Sequence, residues 1–367
     1  MKGLLSRMFN VIKKCMPKAL WEKSKSMIFA LASLGYAIQL LLYKDRVVIF
    51  DTPSYGNIGD QAILLSEIDY LRGLFLRKKI ICVPMECIPS FLFFFSFLVK
   101  KNDLIFIQGG GIFGSIWKEE MYSKVINKFS ENNIIVFPQT IFYEDDAYGR
   151  HRLKVEKNIF DRRDLKLFVR ENQSFLFAEE NLFKEFKENC VLIPDMVLSY
   201  RTAVEYSAGH SVVTCLRKDK EKVSSENLDD AIKKLTENAK QNLEETDMCI
   251  NHAIRGWKNK RAAVDDKLVQ LSKAKFVITD RLHCMIFCTL VGTPCIAMDN
   301  SSKKVKGVYE KWLKDLDYIV FCENENDALS KAEEWIKADS IQAIRYSPKN
   351  LESAFAPLTQ AIKDSLA

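Results

Sequence analysis

The stretch KFVITDRLHCMIFCTLVGTP, residues 275–294, sets three features side by side. Its first five residues are apolar or β-branched apart from the leading lysine, which predicts a strand. Asp280, Arg281, Leu282 and His283 follow, and an uncharged apolar segment to Val291 predicts a buried helix. Gly292 suits the end of that helix, and Pro294 cannot continue it. Strand, polar turn and helix form the repeating unit of a parallel sheet covered on both faces. Arg281 and His283 are thereby placed at a strand's carboxyl end and in a helix's first turn. An anion bound there would meet a guanidinium, an imidazole and unpaired helix N–H groups together. A lone histidine between apolar runs is more often a satisfied core residue, but two flanking charges at this position favour a site.

The same unit recurs outward in both directions. Toward the N-terminus, RVVIF (46–50), DLIFIQ (103–108), IIVFPQ (134–139), LKLFVREN (165–172) and NCVLIPD (189–195) are predicted strands separated by helical segments. A polar stretch at 199–211 interrupts the rhythm. A second set then follows: VVTCLRKD (212–219), a charged helical region (224–245), DMCINHA (247–253), KFVITD (275–280), TPCIAMD (293–299) and YIVFCE (318–323). Helices are expected near 264–274, 282–291, 304–316, 325–338 and 350–366, the last packing back across the chain. The fold class is α/β, with two Rossmann-like doubly wound domains and a cleft between them. The expected divisions are an N-terminal arm (1–45), a first domain (46–205), a second domain (206–345) and a C-terminal helix (346–367). Ligands of such sheets bind beyond the carboxyl ends of strands. DTPSYGNIGD, QGGG, PQT, REN, PD, LRKD and TDRLH all fall at that end, which points to one interdomain site.

The net charge of +6 is concentrated. Residues 1–25 hold seven Lys/Arg and one acid, and removing these from the totals of 54 and 48 leaves 47 of each sign. A neutral body argues against nucleic acid as a partner. The arm runs into MIFALASLGYAIQLLLY (27–43), which is at the lower edge of length for a span. It reads better as a helix lying on an anionic membrane surface, with packing on the first domain as the alternative. IPSFLFFFSFLV (88–99) carries more phenylalanine than one buried stripe needs, and is expected as a buried helix or a membrane-dipping element. Ten cysteines suggest a reduced, cytoplasmic chain. Cys284 and Cys288 share a helical face beside His283, but no second pair at zinc spacing supports a metal site.

In DTPSYGNIGDQAI (51–63), Gly56 and Gly59 allow tight turns and close backbone approach ahead of a helix, where Asp60 could be a cap or a functional acid. It is neither a GxGxxG nor a P-loop sequence. The run of three glycines that opens GGGIFG in QGGGIFG (108–114) suits close passage of ligand or backbone between strand and helix.

Together YGNIGDQAI, IQGGGIFG, VFPQT, VREN, IPD, LRKD, TDRLH and GTPCIAMDNSSKKVKGVYEKW occur in the order found in the polysaccharide pyruvyl transferase family, which this chain resembles over roughly residues 46–316. The resemblance implies a GT-B-like pairing of the two domains. It also implies transfer of a pyruvyl group from phosphoenolpyruvate to a sugar of a surface-polysaccharide precursor, forming a pyruvate ketal. Phosphoenolpyruvate is then the donor substrate, and no cofactor or metal is expected. Arg281 and Arg217 become the anion clamps, Lys304 a phosphate contact with Lys306 close by, and His283 the general acid. Asp60 is the candidate base. Asn57, Gly110, Gln139 and Arg170 are candidates for the acceptor, and His252 could line the cleft. A lipid-linked or oligosaccharide acceptor would make sense of the basic arm, with the enzyme peripheral on the inner face of the cytoplasmic membrane. A GT-B glycosyltransferase using a nucleotide sugar is the alternative. A membrane-associated assembly protein with a degenerate cleft fits less well, because the charged residues at the strand ends are present.

Overall fold

The computed structural model describes residues 18–117, 120–338, 341 and 346–366. Two parallel sheets form. The first contains β1 (Arg46–Thr52), β2 (Lys79–Pro84), β3 (Leu104–Ile107), β4 (Gly110–Gly114), β5 (Ile134–Phe142), β6 (Leu165–Val169) and β7 (Cys190–Leu192). Its order is β2-β1-β3-β5-β6-β7, with β4 added on β5. The second contains β8 (Ser211–Cys215), β9 (Asn242–Glu245), β10 (Ala274–Thr279), β11 (Cys295–Ala297) and β12 (Ile319–Phe321), in the order β12-β11-β10-β8-β9. The central strands are buried along their length because helices cover both faces, which is why they read as unbroken apolar runs.

In each sheet the chain reverses its direction of growth beside the first strand. β1 has β2 on one side and β3 on the other, and β8 has β9 on one side and β10 on the other. A crevice opens at such a point because the connections leave in opposite directions. The two crevices face each other. Helix Ile58–Leu74 of the first half packs on helix Trp257–Ser272 of the second, and Ile58, Ala62, Val264 and Leu268 share one buried cluster. Each such fully buried aliphatic side chain contributes roughly 1.5–3 kcal/mol.

The backbones also join the halves directly. Ile58 N–H donates to Met248 O at 2.8 Å, Ile250 N–H to Gly56 O at 2.9 Å, and Ile254 N–H to Ser54 O at 2.9 Å. The Lys260 ammonium adds bonds to Pro53 O and Gln61. This strap corrects one expectation. DMCINHA is not a strand. The fifth strand of the second sheet is the preceding segment, β9, and 247–254 is pulled away to pair with the other half. Two further elements differ from expectation. QGGGIFG supplies β4 where a loop was expected, because Gly110 at φ 145° turns the chain so that Gly114 pairs with Phe142. β2, in KIICVP, was not among the expected strands, although Ile80, Ile81, Cys82 and Val83 form a short apolar run of the kind that marks one.

The segment after residue 345 does pack back. Phe355, Leu358, Ala361 and Ile362 are buried against Val47, Ile49 and Leu64 of the first half. Helix Lys18–Leu42 also lies on the first half, with Ser33, Ala37 and Leu40 buried. The basic arm expected at 1–45 lies in part outside the described residues. Among the described residues, no helix is long and apolar enough to cross a membrane.

Gly56 has no room for a side chain, since a Cβ there would lie 2.0 Å from Ile250 O. Gly56→Ala is expected to destabilise the chain by about 1–3 kcal/mol by forcing the strap apart. Urea denaturation would read this as a lower midpoint.

Candidate active site

A cavity of about 290 Å³ lies where the two crevices meet. From the first half it is lined by Asp51, Tyr55, Asn57, Asp60, Met85, Gly111, Trp117 and Arg170, and from the second by Arg217, Glu221, Met248, Arg281, His283 and Lys304. Seven of the ten residues anticipated from sequence therefore meet there. Three do not line it. Gln139 is wholly buried beneath the site, its amide donating to Gln108 O at 2.6 Å. Gly110 does not border the cavity, whereas the adjacent Gly111 does. His252 is exposed outside it; only its carbonyl reaches the strap, beside Gly56.

Arg217 and Arg281 follow β8 and β10, the two strands that flank the second sheet's reversal. The turns are locked to each other. Asp280, fully buried, accepts from the Arg217 N–H at 2.8 Å, and the Thr279 hydroxyl donates to Cys215 O at 2.7 Å. Burial pushes the Asp280 carboxyl up to about 6, with Arg217 and Arg281 opposing. Asp280 thus serves Arg217 and does not face His283.

His283 is instead held by the first half. Its Nε2 lies 3.5 Å from Asp195 Oδ2. On its other side a Cβ on Gly59 would fall 2.3 Å from Nδ1, so the imidazole fits only against glycine. Asp195 in turn binds Arg170 at 2.6 Å, and both side chains are 1% exposed. Burial alone would raise the Asp195 carboxyl, but the Arg170 guanidinium, then His283 and the Val197 N–H, overcome this and hold it below the ordinary carboxylate range. Arg170 also donates to the Thr140 hydroxyl at 2.8 Å, and its carbonyl accepts from Trp312 Nε1 across the domain boundary at 2.8 Å. Arg170 is therefore a buried counter-ion whose position is fixed from both halves. Asn57, not Asp60, caps helix Ile58–Leu74, its side chain accepting from Gly59 N–H at 3.0 Å. Asp60 is left in the first turn, facing the cavity.

The cations of the second half are already matched with acids. Asp219 bridges Arg217 (3.0 Å) and Arg281 (2.9 Å), Asp247 takes the other edge of Arg281 at 2.8 Å, and Glu221 joins Arg217 to Lys304. Burial raises and the guanidinia lower the Asp219 carboxyl, with a net fall; Glu221 falls likewise, through Lys304 and Arg217. Burial in turn lowers the Lys304 ammonium. Lys306 pairs with Glu323 outside the cleft, so of the two lysines it is Lys304 that the site holds. Two left-handed residues lie at or beside the cavity. Asp51 (φ 67°) and Lys303 (φ 57°) occupy the left-handed region at about 1–2 kcal/mol each.

Sequence reasoning passed over Asp195, Glu221, Asp247, Tyr55 and Trp117. Asp195 lay inside a quoted motif, IPD, at a strand's carboxyl end, and that position was its signal. Glu221 and Asp247 carried none, because only the folded loops bring them to the arginines. Cys215, Cys284, Cys288 and Cys295 are all buried in the core behind the site, where they pack as small apolar side chains. Among the described residues no cluster of His, Cys, Asp and Glu is arranged to hold a metal ion.

Residues 57–302 match the family model described as polysaccharide pyruvyl transferase. General stress protein 30 of Bacillus subtilis is 29% identical over 309 residues, covering 83% of this chain and 88% of that protein. Pyruvyl transferase 1 of Schizosaccharomyces pombe is 25% identical over 323 residues, covering 80% and 77%. Among solved structures, an uncharacterized protein of Klebsiella pneumoniae superposes with a TM-score of 0.52 at 19% identity, over 81% of this chain and 98% of that one. S. aureus MnaA, solved with UDP, superposes at 0.51 with 10% identity, over 88% and 96%. These structural likenesses bear on the fold alone, and the pairing of domains is GT-B-like.

Glu171, beside Arg170, presses on Gly307 across the boundary: a Cβ on Gly307 would lie 2.7 Å from Glu171 Cγ. Burial raises its carboxyl from 4.5 to about 7, against Ser174 and Arg170. Because the folded value is the higher one, its contribution to stability is complete below pH 4.5 and lost as pH rises through about 7. Glu171→Gln stays neutral throughout. The stability of Glu171→Gln relative to wild type should therefore climb across that window, by on the order of 2–3 kcal/mol. Denaturation midpoints at a series of pH values check this, and a flat difference would refute it.

Proposed function

Because the chain belongs to the polysaccharide pyruvyl transferase family, we propose that its cleft takes phosphoenolpyruvate as donor and that the roles fall to His283, Arg281, Arg217 and Lys304. The observation that carries this reading is the placement of Arg217 and Arg281 on adjacent strand ends with His283 one turn away. Phosphoenolpyruvate has a carboxylate and a phosphate, and two guanidinia suit two planar or tetrahedral anions better than ammonium groups would. Asp219 already bridges both guanidinia. A donor anion would exchange one set of charge-assisted hydrogen bonds for another, so the arginines need little reorganisation.

His283 protonates the methylene carbon, converting the enol phosphate to an oxocarbenium-like centre at the neighbouring carbon. One acceptor hydroxyl adds to that carbon and its proton restores the imidazolium. The C–O bond to phosphate then breaks, and a second hydroxyl closes the ketal. In the balance, one hydroxyl proton ends on the new methyl group and the other leaves with phosphate. Asp195 serves as the positioning residue that holds the imidazole and stabilises its cation. Lys304 meets the departing phosphate. Asp60 accepts a hydrogen bond from the second hydroxyl and passes its proton to the departing phosphate, and Asn57, Tyr55 and the exposed face of Trp117 offer polar and stacking contacts to a sugar. The donor and the reduced thiols fit the cytoplasm, and a lipid-linked precursor as acceptor fits a peripheral position at the membrane.

Incubation of the chain with phosphoenolpyruvate and oligosaccharide or lipid-linked acceptors should release phosphate and add to the acceptor the mass of pyruvic acid less one water. A hexose-sized gain from a nucleotide sugar would overturn the reading. His283→Gln should lower kcat by roughly 10²–10⁴ with little change in KM for the donor. Arg281→Ala should mainly raise that KM. Asp195→Asn should lower kcat and displace the limb of the kcat–pH profile set by His283. An unchanged profile would remove the positioning role.

A further inference from the structure

Helix Lys18–Leu42 is apolar on two opposite faces. Phe29, Ser33, Tyr36, Ala37 and Leu40 turn inward against the first half. Met27, Leu31, Leu34, Ile38 and Leu41 recur at spacings of four and three on the outward side, where Met27, Leu31 and Leu41 are 63%, 64% and 65% exposed. A surface helix ordinarily turns charge outward. Residues 26–43 contain none.

A second element joins this face. Helix Ile88–Phe94 packs against Lys18–Leu42, burying Ile88 and Phe91, and the Ser33 hydroxyl donates to Cys87 O at 3.2 Å to tie the two together. Beyond that seam Phe93 and Phe97 stand 81% and 78% exposed, with Phe94 about half exposed. Three projecting phenylalanines on a short turn exceed what scattered exposure explains. The expectation of a buried helix at 88–99 thus holds for one side only.

We propose that the outward stripe of helix Lys18–Leu42 and the phenylalanines Phe93, Phe94 and Phe97 form one face that inserts into the surface of an anionic bilayer. Charge selects this occupant over a second copy of the chain. The seven Lys/Arg and single acid of residues 1–25 lead directly into the apolar stripe, while Lys44 and Lys100 lie exposed at its borders. Pairing two copies through this face would add one copy's positive surplus to the other's without neutralising either. An anionic surface neutralises them and accepts the apolar side chains at the same time.

The location matters for catalysis. The turn Met85–Cys87 that roots the phenylalanine-bearing helix also contributes Met85 to the cavity wall. The bilayer would then lie beside the mouth of the cleft, where an acceptor on a lipid carrier is delivered. This consequence rests on the transfer reading above, whereas the membrane contact itself does not.

The test is sedimentation of the full chain with phosphatidylcholine vesicles, with and without phosphatidylglycerol, at low and high salt. Donor and acceptor are absent, so the outcome is independent of the transfer reading. Wild type should sediment with the anionic vesicles and be released by salt. Phe93→Ser/Phe97→Ser and Leu31→Ser/Leu34→Ser should each bind on the order of tenfold more weakly. Both pairs replace exposed side chains, and an unchanged melting temperature and circular dichroism spectrum would show them folded. Failure of wild type to bind anionic vesicles overturns the proposal, as does undiminished binding by both variants. A wild-type dimer that the variants dissociate, seen by light scattering without vesicle binding, would assign the face to self-association instead.

Discussion

The structure turns on a buried charge pair that neither half could keep alone. Arg170 and Asp195 both come from the first half and are almost wholly withdrawn from water. An isolated ion pair at that depth is costly, because desolvation offsets most of the attraction. Here the remaining hydrogen-bonding capacity is used by Thr140 and Val197, and His283 and Trp312 of the second half complete the shell. The imidazole is therefore placed by a carboxylate whose own charge is secured from the opposite side. Docking of the halves and placement of the imidazole are one event.

A similar economy governs the cationic side of the cleft. Arg217, Arg281 and Lys304 converge without bare repulsion because Asp219, Glu221 and Asp247 are interleaved among them. The arginines are oriented in advance by groups that share the geometry of a carboxylate ligand. Glycines set the spacing: Gly59 makes room for His283, Gly56 for the strap, and Gly307 for Glu171. A side chain at any of the three would hold the halves apart.

Much of this was legible before any coordinates. Strand and helix existence followed from apolar runs and their periods, and the polar clusters at strand ends named Arg217, Arg281, His283, Lys304, Asn57, Asp60 and Arg170 as cavity neighbours. The misses share a cause. DMCINHA looks like a strand, but its backbone is claimed by the other half, an interaction across almost two hundred residues that local pattern cannot express. Asp195 and Glu221 matter through what they touch. Gln139 and His252 have suitable chemistry, yet Gln139 is buried within β5 with its amide on Gln108 O, and His252 lies exposed in the strap. Sequence locates the end of a strand, while the pleat and the partner decide which side chain faces the cleft.

The return of the C-terminal helix Ala356–Asp364 to the first sheet bears on how the chain is made. Val47, Ile49 and Leu64 precede by roughly three hundred residues the side chains that cover them, Leu358 and Ile362, and so leave the ribosome well before them. The first half must wait with part of its apolar surface open while the second is completed. Nascent chains in that condition are open to aggregation and to chaperone capture. The order of synthesis thus runs opposite to the order in which this core can close.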